Sequence, residues 1–298
     1  MDLKKPVVVT GSSGFVGTSL VRTLRNCGFE KVIGVDLTPS PTTDFAADFG
    51  NSSLMAQIIP SGARVVHLGG VSTNGAAKAD PLAAVSANCH KVLAFAESCR
   101  GAGVDQVIFA SSEWVYGDPD NDDELLEGSG PIPYLDNSSL YAQTKLATEG
   151  FLKTSGFFEN LTILRFAIVY GPRQTPLSAP ESILSDCRAN ETVKVGNAMS
   201  SRRFIFIDDL VEGIIASLGF RGQETFNLPG PELVSLAEIY ALACRIAGRD
   251  PGLIADGGVS PSIRNVSGER ASRLLGWEAR LTLEGCLKEI YSLTEGPN

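Results

Sequence analysis

The fold is decided by Val7-Val8-Val9-Thr10-Gly11-Ser12-Ser13-Gly14-Phe15-Val16-Gly17. Three consecutive β-branched residues are typical of a buried strand. Glycines then recur at every third position, and Leu20, Val21 and Leu24 follow with the spacing of an amphipathic helix. A strand, a glycine turn and a helix start together form an anion site, because backbone N–H groups and the helix dipole point at the ligand.

The three glycines have the spacing G-x-x-G-x-x-G rather than the common G-x-G-x-x-G. We expect Gly11 to permit the tight turn, Gly14 to let a pyrophosphate approach the backbone, and Gly17 to let the helix pack on the strand. Glycine-rich turns also serve as plain joints between a strand and a helix, so this motif alone leaves both interpretations open.

The next apolar segment ends in an acid. Lys31-Val32-Ile33-Gly34-Val35-Asp36 predicts a second strand, and Asp36 follows Gly17 by 19 residues. An acid at about this distance accepts hydrogen bonds from an adenosine ribose and repels a 2′-phosphate. The sequence therefore predicts NAD rather than NADP. The alternative, a solvated turn residue, fits poorly with the position of Asp36 at a strand end.

Length and charge limit the possible functions. The chain has 298 residues, of which 43% are hydrophobic, so it is long enough for one large domain or a domain with a lobe. A formal net charge of -9 argues against a nucleic-acid-binding face. Apolar runs stay shorter than the roughly 18 residues of a membrane span, and residues 1–6 lead directly into the first strand. We therefore expect neither a membrane span nor a signal peptide.

Six scattered cysteines without a C-x-x-C pair predict reduced core thiols in a cytoplasmic protein. Only His67 and His90 are present, which argues against a histidine-based zinc site, and we predict no metal. His67 lies inside an apolar strand and is interpreted as structural.

Strands and helices alternate along the first half of the chain. Strands are predicted at 64–68 and 104–110, and Asp80-Pro81 opens a long helix. Its predicted apolar face contains Leu82, Val85, Val92, Leu93 and Phe95. This alternation predicts an α/β fold with a parallel sheet covered on both faces, whose ligands bind at the carboxyl ends of the strands.

The second half continues less regularly. The predicted helices are 52–59, 138–151 with Ser138 as its cap, 179–190, 208–218, 235–248, 269–275 and 283–293. The predicted strands are 161–169, 193–195, 204–207 and 225–228, and 118–133 is predicted to be a surface loop.

Three side chains form the predicted reactive set. Ser112 ends a strand, and Tyr141 and Lys145 are four residues apart, which puts them on one helix face. A nearby ammonium group and an oxidised nicotinamide favour a tyrosine phenolate, which can take the proton of a sugar hydroxyl while hydride leaves the same carbon. Ser112 would hold that hydroxyl. The alternative is a packed tyrosine beside a surface lysine, since Y-x-x-x-K alone is a weak pattern.

With these residues in place, the chain resembles the extended short-chain dehydrogenases/reductases, in the group of NAD-dependent nucleotide-sugar epimerases and dehydratases. The matching motifs cover nearly the whole chain. They are Thr10-Gly11-x-x-Gly14-Phe15-x-Gly17, Asp48, His67-Leu68-Gly69-Gly70, Asn88, Ser111-Ser112-x-x-Val115-Tyr116-Gly117, Tyr141-x-x-x-Lys145, Arg165, Val169-Tyr170-Gly171-Pro172-Arg173, Arg202-Arg203-Phe204 before Asp208-Asp209, and Leu275-Gly276-Trp277.

The resemblance implies a Rossmann-type doubly wound parallel sheet with a smaller C-terminal α/β substrate lobe, tightly held NAD, and homodimers joined through two long helices. We expect the NAD-binding domain at 1–168, completed by about 205–228, and the substrate lobe at 169–204 and 229–298. By the same resemblance, Asp48 and Phe49 flank the adenine, and Lys145 also binds the nicotinamide ribose. The full predicted cofactor set is Gly11, Ser13, Gly14, Phe15, Val16, Gly17, Asp36, Leu37, Asp48, Phe49, Leu68, Gly69, Gly70, Asn88, Ser111, Tyr141, Lys145 and Ile168.

The substrate residues implied by the resemblance are Ser72, Ser112, Glu113, Arg202 and Arg264. Guanidinium groups suit the oxygens of a substrate diphosphate, although surface ion pairing is the alternative for both arginines. Arg203 stands where the family usually has an acid, which leaves open which arginine points inward.

Two positions depart from the family pattern. Ile168 replaces an asparagine that helps many relatives to hold the substrate. Glu113-Trp114 replaces the acid pair of the 4,6-dehydratases, and tryptophan can neither remove nor return a proton. The sequence therefore predicts a nucleotide-sugar epimerase that acts at C4. The alternatives are a sugar dehydrogenase or keto-sugar reductase, a nucleotide-sugar dehydratase, and an inactive NAD-sensing scaffold, against which the complete reactive set argues.

Overall fold

A seven-stranded parallel sheet forms the centre of the protein in the computed structural model, which describes residues 2–119, 121–128, 139–174, 177–189, 192–251 and 254–294. The sheet order is β12-β7-β5-β4-β1-β2-β3. Its strands are β1 (Val7–Thr10), β2 (Val32–Asp36), β3 (Phe45–Ala46), β4 (Arg64–His67), β5 (Gln106–Ser112), β7 (Leu161–Phe166) and β12 (Gln223–Leu228). The strand order reverses at β1: β2 and β3 follow on one side of it, and β4, β5, β7 and β12 follow on the other. This reversal creates a crevice at the carboxyl ends of β1 and β4.

Helices cover both faces of this sheet. The α-helices are α1 (Phe15–Asn26), α2 (Ser52–Ile58), α3 (Asn74–Ala79), α4 (Pro81–Val85), α5 (Lys91–Ala102), α6 (Leu140–Thr154), α7 (Ala179–Arg188), α8 (Ile207–Ser217), α9 (Leu236–Ile246), α10 (Glu269–Leu275) and α11 (Leu283–Thr294). A π-helical turn (Ser86–His90) joins α4 to α5, and a 3-10 turn (Glu113–Tyr116) follows β5.

Strand β1 shows why two apolar layers form. Val7 and Val9 belong to the apolar cluster that includes α1 and α8, whereas Val8 belongs to the cluster that includes α2 and α5. Successive side chains of a strand point to opposite faces, so an uninterrupted apolar strand needs cover on both sides. The predicted doubly wound α/β class is confirmed by this arrangement.

A smaller, four-stranded sheet lies outside the central one, in the order β13-β10-β15-β6. Its strands are β6 (Glu124–Leu125), β10 (Ser201–Arg202), β13 (Val234–Ser235) and β15 (Ile263–Val266). Two further strand pairs join β8 (Val169–Tyr170) to β11 (Ile205–Phe206), and β9 (Lys194–Val195) to β14 (Ala255–Asp256). The division into a cofactor domain and a substrate lobe stays a prediction, because one apolar cluster includes residues of both α1 and α9.

The helix predicted to begin at Asp80-Pro81 differs from expectation. Leu82 is 85% exposed and Val85 is 45% exposed, so the prediction that they belong to a buried face is wrong. The π-helical turn between α4 and α5 adds residues to the turn and rotates the preceding face away from the sheet. Val92 and Phe95, which follow that turn, are buried as predicted.

Sequence patterns missed α3 and the short strands β10, β13, β14 and β15, and the prediction of a surface loop at 118–133 is wrong at β6 (Glu124–Leu125), which pairs with β15. Two predicted boundaries, Ser138 and Asn190, lie outside the described residues. Helix α6 is capped by Ser139, whose hydroxyl accepts a hydrogen bond from the N–H of Ala142 at 3.2 Å. In the described part of the chain, no helix combines the length and the apolar character that crossing a membrane requires.

Candidate active site

A cleft of about 750 Å³ opens at the carboxyl ends of the central strands, where the sheet order reverses. Its lining includes the glycine turn after β1, the ends of β2, β4 and β5, and the segment after β7. Ligands of open α/β sheets bind at this topological position.

The glycine turn is the narrowest part of the cleft. Gly11 has a φ of +72°, and a Cβ atom there would lie 2.8 Å from the amide nitrogen of Gly69. A Cβ atom at Gly17 would lie 2.0 Å from the carbonyl oxygen of Gly11, so only glycine lets α1 start this close to β1. Gly14 is the N-cap of α1 and provides no side-chain cap, which leaves the start of the helix suited to an anion.

Two acids mark the adenosine end. The carboxylate of Asp36 accepts hydrogen bonds from the N–H groups of Ser13, at 3.1 Å, and Thr38, at 2.9 Å, which fixes it at the cleft. Asp48 accepts from the N–H of Gly50 at 2.8 Å and forms an ion pair with Lys91 at 2.5 Å. Burial opposes ionisation of Asp48, but the contacts with Lys91 and Gly50 outweigh it and lower the pKa of this carboxyl.

Ser112, Tyr141 and Lys145 are brought together at the inner end of the cleft. The Ser112 hydroxyl lies close enough to the Tyr141 hydroxyl to lower its pKa. Lys145 donates from Nζ to the carbonyl oxygen of Ala110 at 2.8 Å, and its Nζ lies 5.9 Å from the centroid of the Tyr141 ring. Helix α6 supplies two members of the set and β5 the third, so the sheet and the helix fix their relative positions.

Burial controls the protonation of both titratable members. It raises the pKa of Tyr141 to about 12, although the hydrogen bond from Ser112 acts in the opposite direction. It lowers the pKa of Lys145 to about 8, while the charge of Glu149 acts to raise it. A phenolate at neutral pH therefore requires additional positive charge beside Tyr141.

Most of the predicted cofactor residues line the cleft. Asn88 is the exception: its side chain is buried, accepts from the N–H of Val71 at 2.8 Å and donates to the hydroxyl of Thr144 at 3.0 Å. A Cβ atom at Gly70 would lie 2.5 Å from its Oδ1. The prediction that Asn88 contacts the cofactor is corrected here: Asn88 holds the loop after β4 against α6. The predicted residues in the lining are Gly11, Ser13, Gly14, Phe15, Val16, Gly17, Asp36, Leu37, Asp48, Phe49, Leu68, Gly69, Gly70, Ser111, Tyr141, Lys145 and Ile168.

The predicted substrate residues separate into two groups. Ser72 and Ser112 line the cleft, whereas Glu113, Arg202 and Arg264 do not. Glu113 is fully buried, and its Oε1 lies 3.5 Å from both Arg202 Nε and Arg264 Nη1. The strands β10 and β15 pair Arg202 with Arg264, which places both guanidinium groups against this carboxylate. The structure thus contradicts direct contact between Glu113 and a ligand in the cleft, because its side chain points into the protein.

Trp114 separates this ionic cluster from the cleft. Trp114 lines the cleft and packs against the apolar cluster of Ala77, Ala84 and Tyr141, and the guanidinium carbon of Arg264 lies 4.5 Å from its ring centroid. Arg264 also donates to the carbonyl oxygen of Gly117 and to the carboxylate of Asp118. Sequence patterns could not identify this arrangement, because it joins a turn after β5 to a strand about 150 residues later.

Four further cleft residues were missed from the sequence. Lys91 pairs with Asp48, and the guanidinium carbon of Arg173 lies 4.4 Å from the Phe15 ring centroid. Asn74 and Trp114 line the same cleft. Arg173 and Trp114 stand in motifs that the sequence shows, but their place in the cleft was not predicted, whereas Lys91 and Asn74 lie outside any recognisable pattern.

His67 ends β4 beneath the cleft. Its Nδ1 is hydrogen-bonded to the hydroxyl of Thr10 at 2.7 Å, which joins the ends of β4 and β1. Burial lowers the pKa of His67 to about 3, so the ring is neutral. These contacts support the interpretation of His67 as structural. Among the described residues, no cluster of three or more His, Cys, Asp and Glu side chains is placed to hold a metal ion.

The model of the NAD-dependent epimerase/dehydratase family matches residues 7–228 of the 298-residue chain. The chain is 27% identical over 316 residues to YtcB, an uncharacterised UDP-glucose epimerase of Bacillus subtilis, with 97% of this chain and 98% of YtcB covered.

Solved structures are similar over the same extent. MoeE5 in complex with UDP-glucuronic acid and NAD is 27% identical with a TM-score of 0.84, covering 97% of this chain and 99% of MoeE5. The UDP-glucose 4-epimerase of Thermotoga maritima, solved with UDP-glucose, has a TM-score of 0.85 at 24% identity, covering 97% and 99% of the two chains, which shows the shared fold.

Proposed function

This chain belongs to the NAD-dependent epimerase/dehydratase family, and we propose that it inverts C4 of a nucleotide hexose through a transient 4-keto sugar. It is an NAD-dependent enzyme of the extended short-chain dehydrogenase/reductase type. The observation that carries the proposal is that Ser112, Tyr141 and Lys145, the last one helical turn after Tyr141, all line the same cleft.

The cleft fits NAD on its own geometry. The absence of side chains at Gly11 and Gly17 lets β1 and the start of α1 approach each other, and Gly14 leaves that helix end open for a pyrophosphate. Asp36 is already oriented by two backbone N–H groups at the place where a ribose would bind. When bound, NAD accepts and returns the hydride of the sugar.

The chain's own residues move the proton. Ser112 holds the C4 hydroxyl, and the Tyr141 phenolate takes its proton as the hydride leaves. Lys145 places positive charge beside Tyr141 and so stabilises the phenolate. After the 4-keto sugar has rotated in the cleft, Tyr141 returns the proton to its oxygen while hydride is added to the other face of C4. A single reversible proton relay therefore serves both half-reactions.

The structure also supports epimerisation over dehydration. Loss of water across C5 and C6 requires a further base and a further acid near the sugar. Trp114 occupies the cleft where the second acid of a dehydratase would stand, and Glu113 is fully buried against Arg202 and Arg264. Neither side chain is placed to transfer a proton at C5 or C6.

One observation favours a second candidate, a net sugar dehydrogenase or keto-sugar reductase. Arg202 and Arg264, the residues expected to bind a diphosphate, are engaged by Glu113 and Asp118 instead of lining the cleft. A smaller sugar without a diphosphate would not need them. We retain the arginine–diphosphate contact as a proposal for Arg202, which is 12% exposed.

Product analysis tests the proposed function. The purified protein is incubated with UDP-glucose, UDP-galactose, UDP-glucuronic acid and their thymidine and guanosine counterparts, and the sugars are analysed by NMR. We expect one C4-epimeric pair to interconvert from either side and the Tyr141→Phe variant to leave it unchanged. If no nucleotide sugar is converted but NADH is released when a free uronic acid or hexose is supplied with NAD, the dehydrogenase is favoured.

We further propose a homodimer that uses α4, α5 and α6. Leu82 and Val85 on α4 are exposed, and so is Phe151 on α6 at 47%, which leaves apolar surface on these helices. Leu82→Glu should reduce the sedimenting mass from the dimer to the monomer, and Leu293→Glu on α11 serves as the control. A wild-type protein that sediments as a monomer would contradict the dimer.

The compartment is also a proposal. All six cysteines are free thiols, and the sulfur atoms of Cys187 and Cys244 lie 3.6 Å apart without a bond. This pattern is typical of a reducing compartment, and we propose the cytoplasm. Detection of a Cys187–Cys244 disulfide in protein isolated under native conditions would contradict it.

A further inference from the structure

Behind the reactive set lies a buried chain of charged and polar side chains that the proposed proton relay does not use. At its centre, Glu149 on α6 is 2% exposed. Its two carboxylate oxygens accept from Arg165 on β7, from Nε at 3.0 Å and from Nη2 at 2.7 Å. Arg165 Nη1 donates to the hydroxyl of Tyr116 at 2.9 Å, and that hydroxyl donates to Asn227 at 2.8 Å.

This chain reaches the reactive set at Ser111. The hydroxyl of Ser111 donates to Glu149 Oε1 at 2.5 Å, and Ser111 is the residue before Ser112 at the end of β5. The contact therefore ties the strand end that carries Ser112 to the helix that carries Tyr141 and Lys145. Ser111 itself is 3% exposed, so water does not compete for this contact.

Glu149 also follows Lys145 by four residues, which places both on the same face of α6. The Lys145 ammonium group is buried and donates to a carbonyl oxygen rather than to a carboxylate. Burial disfavours its charged form, and Glu149 is the first of the charges that act against this, followed by Cys89 on the π-helical turn. From β4, His67 faces Lys145 as a neutral ring, and the Phe109 ring of β5 lies 4.9 Å from its Nζ.

We propose that Glu149 is a positioning residue for the reactive set: it fixes Ser111 beside Ser112, and it keeps Lys145 in its charged form. This inference rests on the proposed function for its consequence, since the charge of Lys145 serves to stabilise the Tyr141 phenolate. Arg165 in turn orients the Glu149 carboxylate through two hydrogen bonds and places a positive charge beside it inside the protein.

The test is the titration of Lys145, which can be measured without turnover. Trace labelling with acetic anhydride from about pH 6 to 11, followed by peptide mass spectrometry, reports the neutral fraction of each lysine because only the neutral amine reacts. In Glu149→Gln we expect the labelling midpoint of Lys145 to lie at lower pH than in the wild type. The alkaline limb of the plot of kcat/KM against pH should also shift to lower pH.

Three variants complete the design. Glu149→Asp retains the charge and should keep the Lys145 midpoint near that of the wild type. Glu97→Gln removes an exposed carboxylate of α5 and should change neither measurement. Glu149→Gln with Arg165→Met removes both buried charges, so it provides a folded alternative if the single variant does not fold, and it should also lower the midpoint.

A Lys145 midpoint that stays at its wild-type value in every folded variant with the Glu149→Gln substitution would overturn the proposal and leave Glu149 a purely structural role. If the wild-type protein converts no nucleotide sugar while the Lys145 midpoint still falls in Glu149→Gln, the proposed function fails and the positioning role stands.

Discussion

Tyr141 illustrates, at the scale of one residue, how the fold sets chemistry. Burial raises its pKa to about 12, so the side chain is a neutral phenol in the protein alone. The charge that makes it a base must come from its neighbours, Lys145 and the oxidised cofactor. The protonation state of Tyr141 is thus linked to cofactor binding, which restricts proton removal to the loaded cleft.

Tyr141→Phe should therefore lower kcat by roughly 10² to 10⁴, the usual contribution of a general acid–base group. NAD affinity should change little, since the ring and its packing remain. Steady-state kinetics and a fluorescence titration with NAD measure the two quantities, and Tyr291→Phe on α11 is the matched control. A Tyr141→Phe enzyme with near-normal kcat would refute the proton relay.

At the same scale, we propose that Asp36 selects NAD over NADP. Asp36→Ala removes a charged acceptor worth about 1.5–3 kcal/mol, so NAD binding should weaken by roughly 10- to 150-fold. NADP binding should weaken less or improve, because the repulsion of its 2′-phosphate disappears. Calorimetric titration with both cofactors measures the ratio, and equal affinity of the wild type for NAD and NADP would contradict this role.

At the scale of secondary-structure elements, the hydrogen bond between His67 and Thr10 joins β4 to β1 at the point where the sheet order reverses. The pKa of His67 is about 3 in the folded protein, because burial disfavours the imidazolium, against about 6.5 when the chain is unfolded. Between these values the unfolded state binds more protons. The contribution of His67 to stability is therefore complete above about pH 6.5 and is lost as the pH falls toward 3.

His67→Gln should remove this part of the pH dependence. From pH 6.5 to about 5, above the range in which carboxylates titrate, the wild type should lose up to about 1.4 kcal/mol of unfolding free energy per pH unit. The variant should have a lower free energy of unfolding at pH 8, but that free energy should change less with pH between 6.5 and 5. Urea unfolding at a series of pH values measures both slopes. If the unfolding free energies of the wild type and the variant changed equally with pH, His67 would not be the source of the pH dependence.

The longer strands and helices are the elements that the sequence could predict. The strands β1, β2, β4 and β5 and the helices α1 and α6 were recognisable because each repeats one apolar spacing over several turns or residues. The cleft residues carried by those elements were recognisable for the same reason. The ion pair between Arg264 and Glu113 was not predictable, since it joins a short strand to a turn in a distant part of the chain and neither carries a periodic pattern.

Leu82 shows a second limit. The sequence predicted one helix from Asp80 with Leu82 on its apolar face, whereas a π-helical turn interrupts that helix and Leu82 is exposed. Such a turn depends on packing around Asn88, whose side chain bonds both Val71 and α6. Local sequence does not encode that contact.

At the scale of the whole molecule, the cleft combines the groups needed to oxidise a sugar with a wall, at Trp114, that lacks the second acid needed for dehydration. The parallel sheet places the glycine turn, the reactive set and Trp114 at one edge. In the proposed epimerisation, one set of groups performs both proton transfers, and the hydride returns to the sugar before the cofactor is released. That property distinguishes epimerisation from net oxidation and from dehydration.

A substrate deuterated at C4 tests this central claim most directly. The nucleotide sugar converted in the product analysis is labelled at C4 and incubated with the enzyme, and the product is followed by mass spectrometry and by absorbance at the NADH band. We predict that the epimer keeps the deuterium and that no lasting NADH signal develops. NADH accumulating in proportion to the sugar consumed, or a product lighter by one water, would contradict the account.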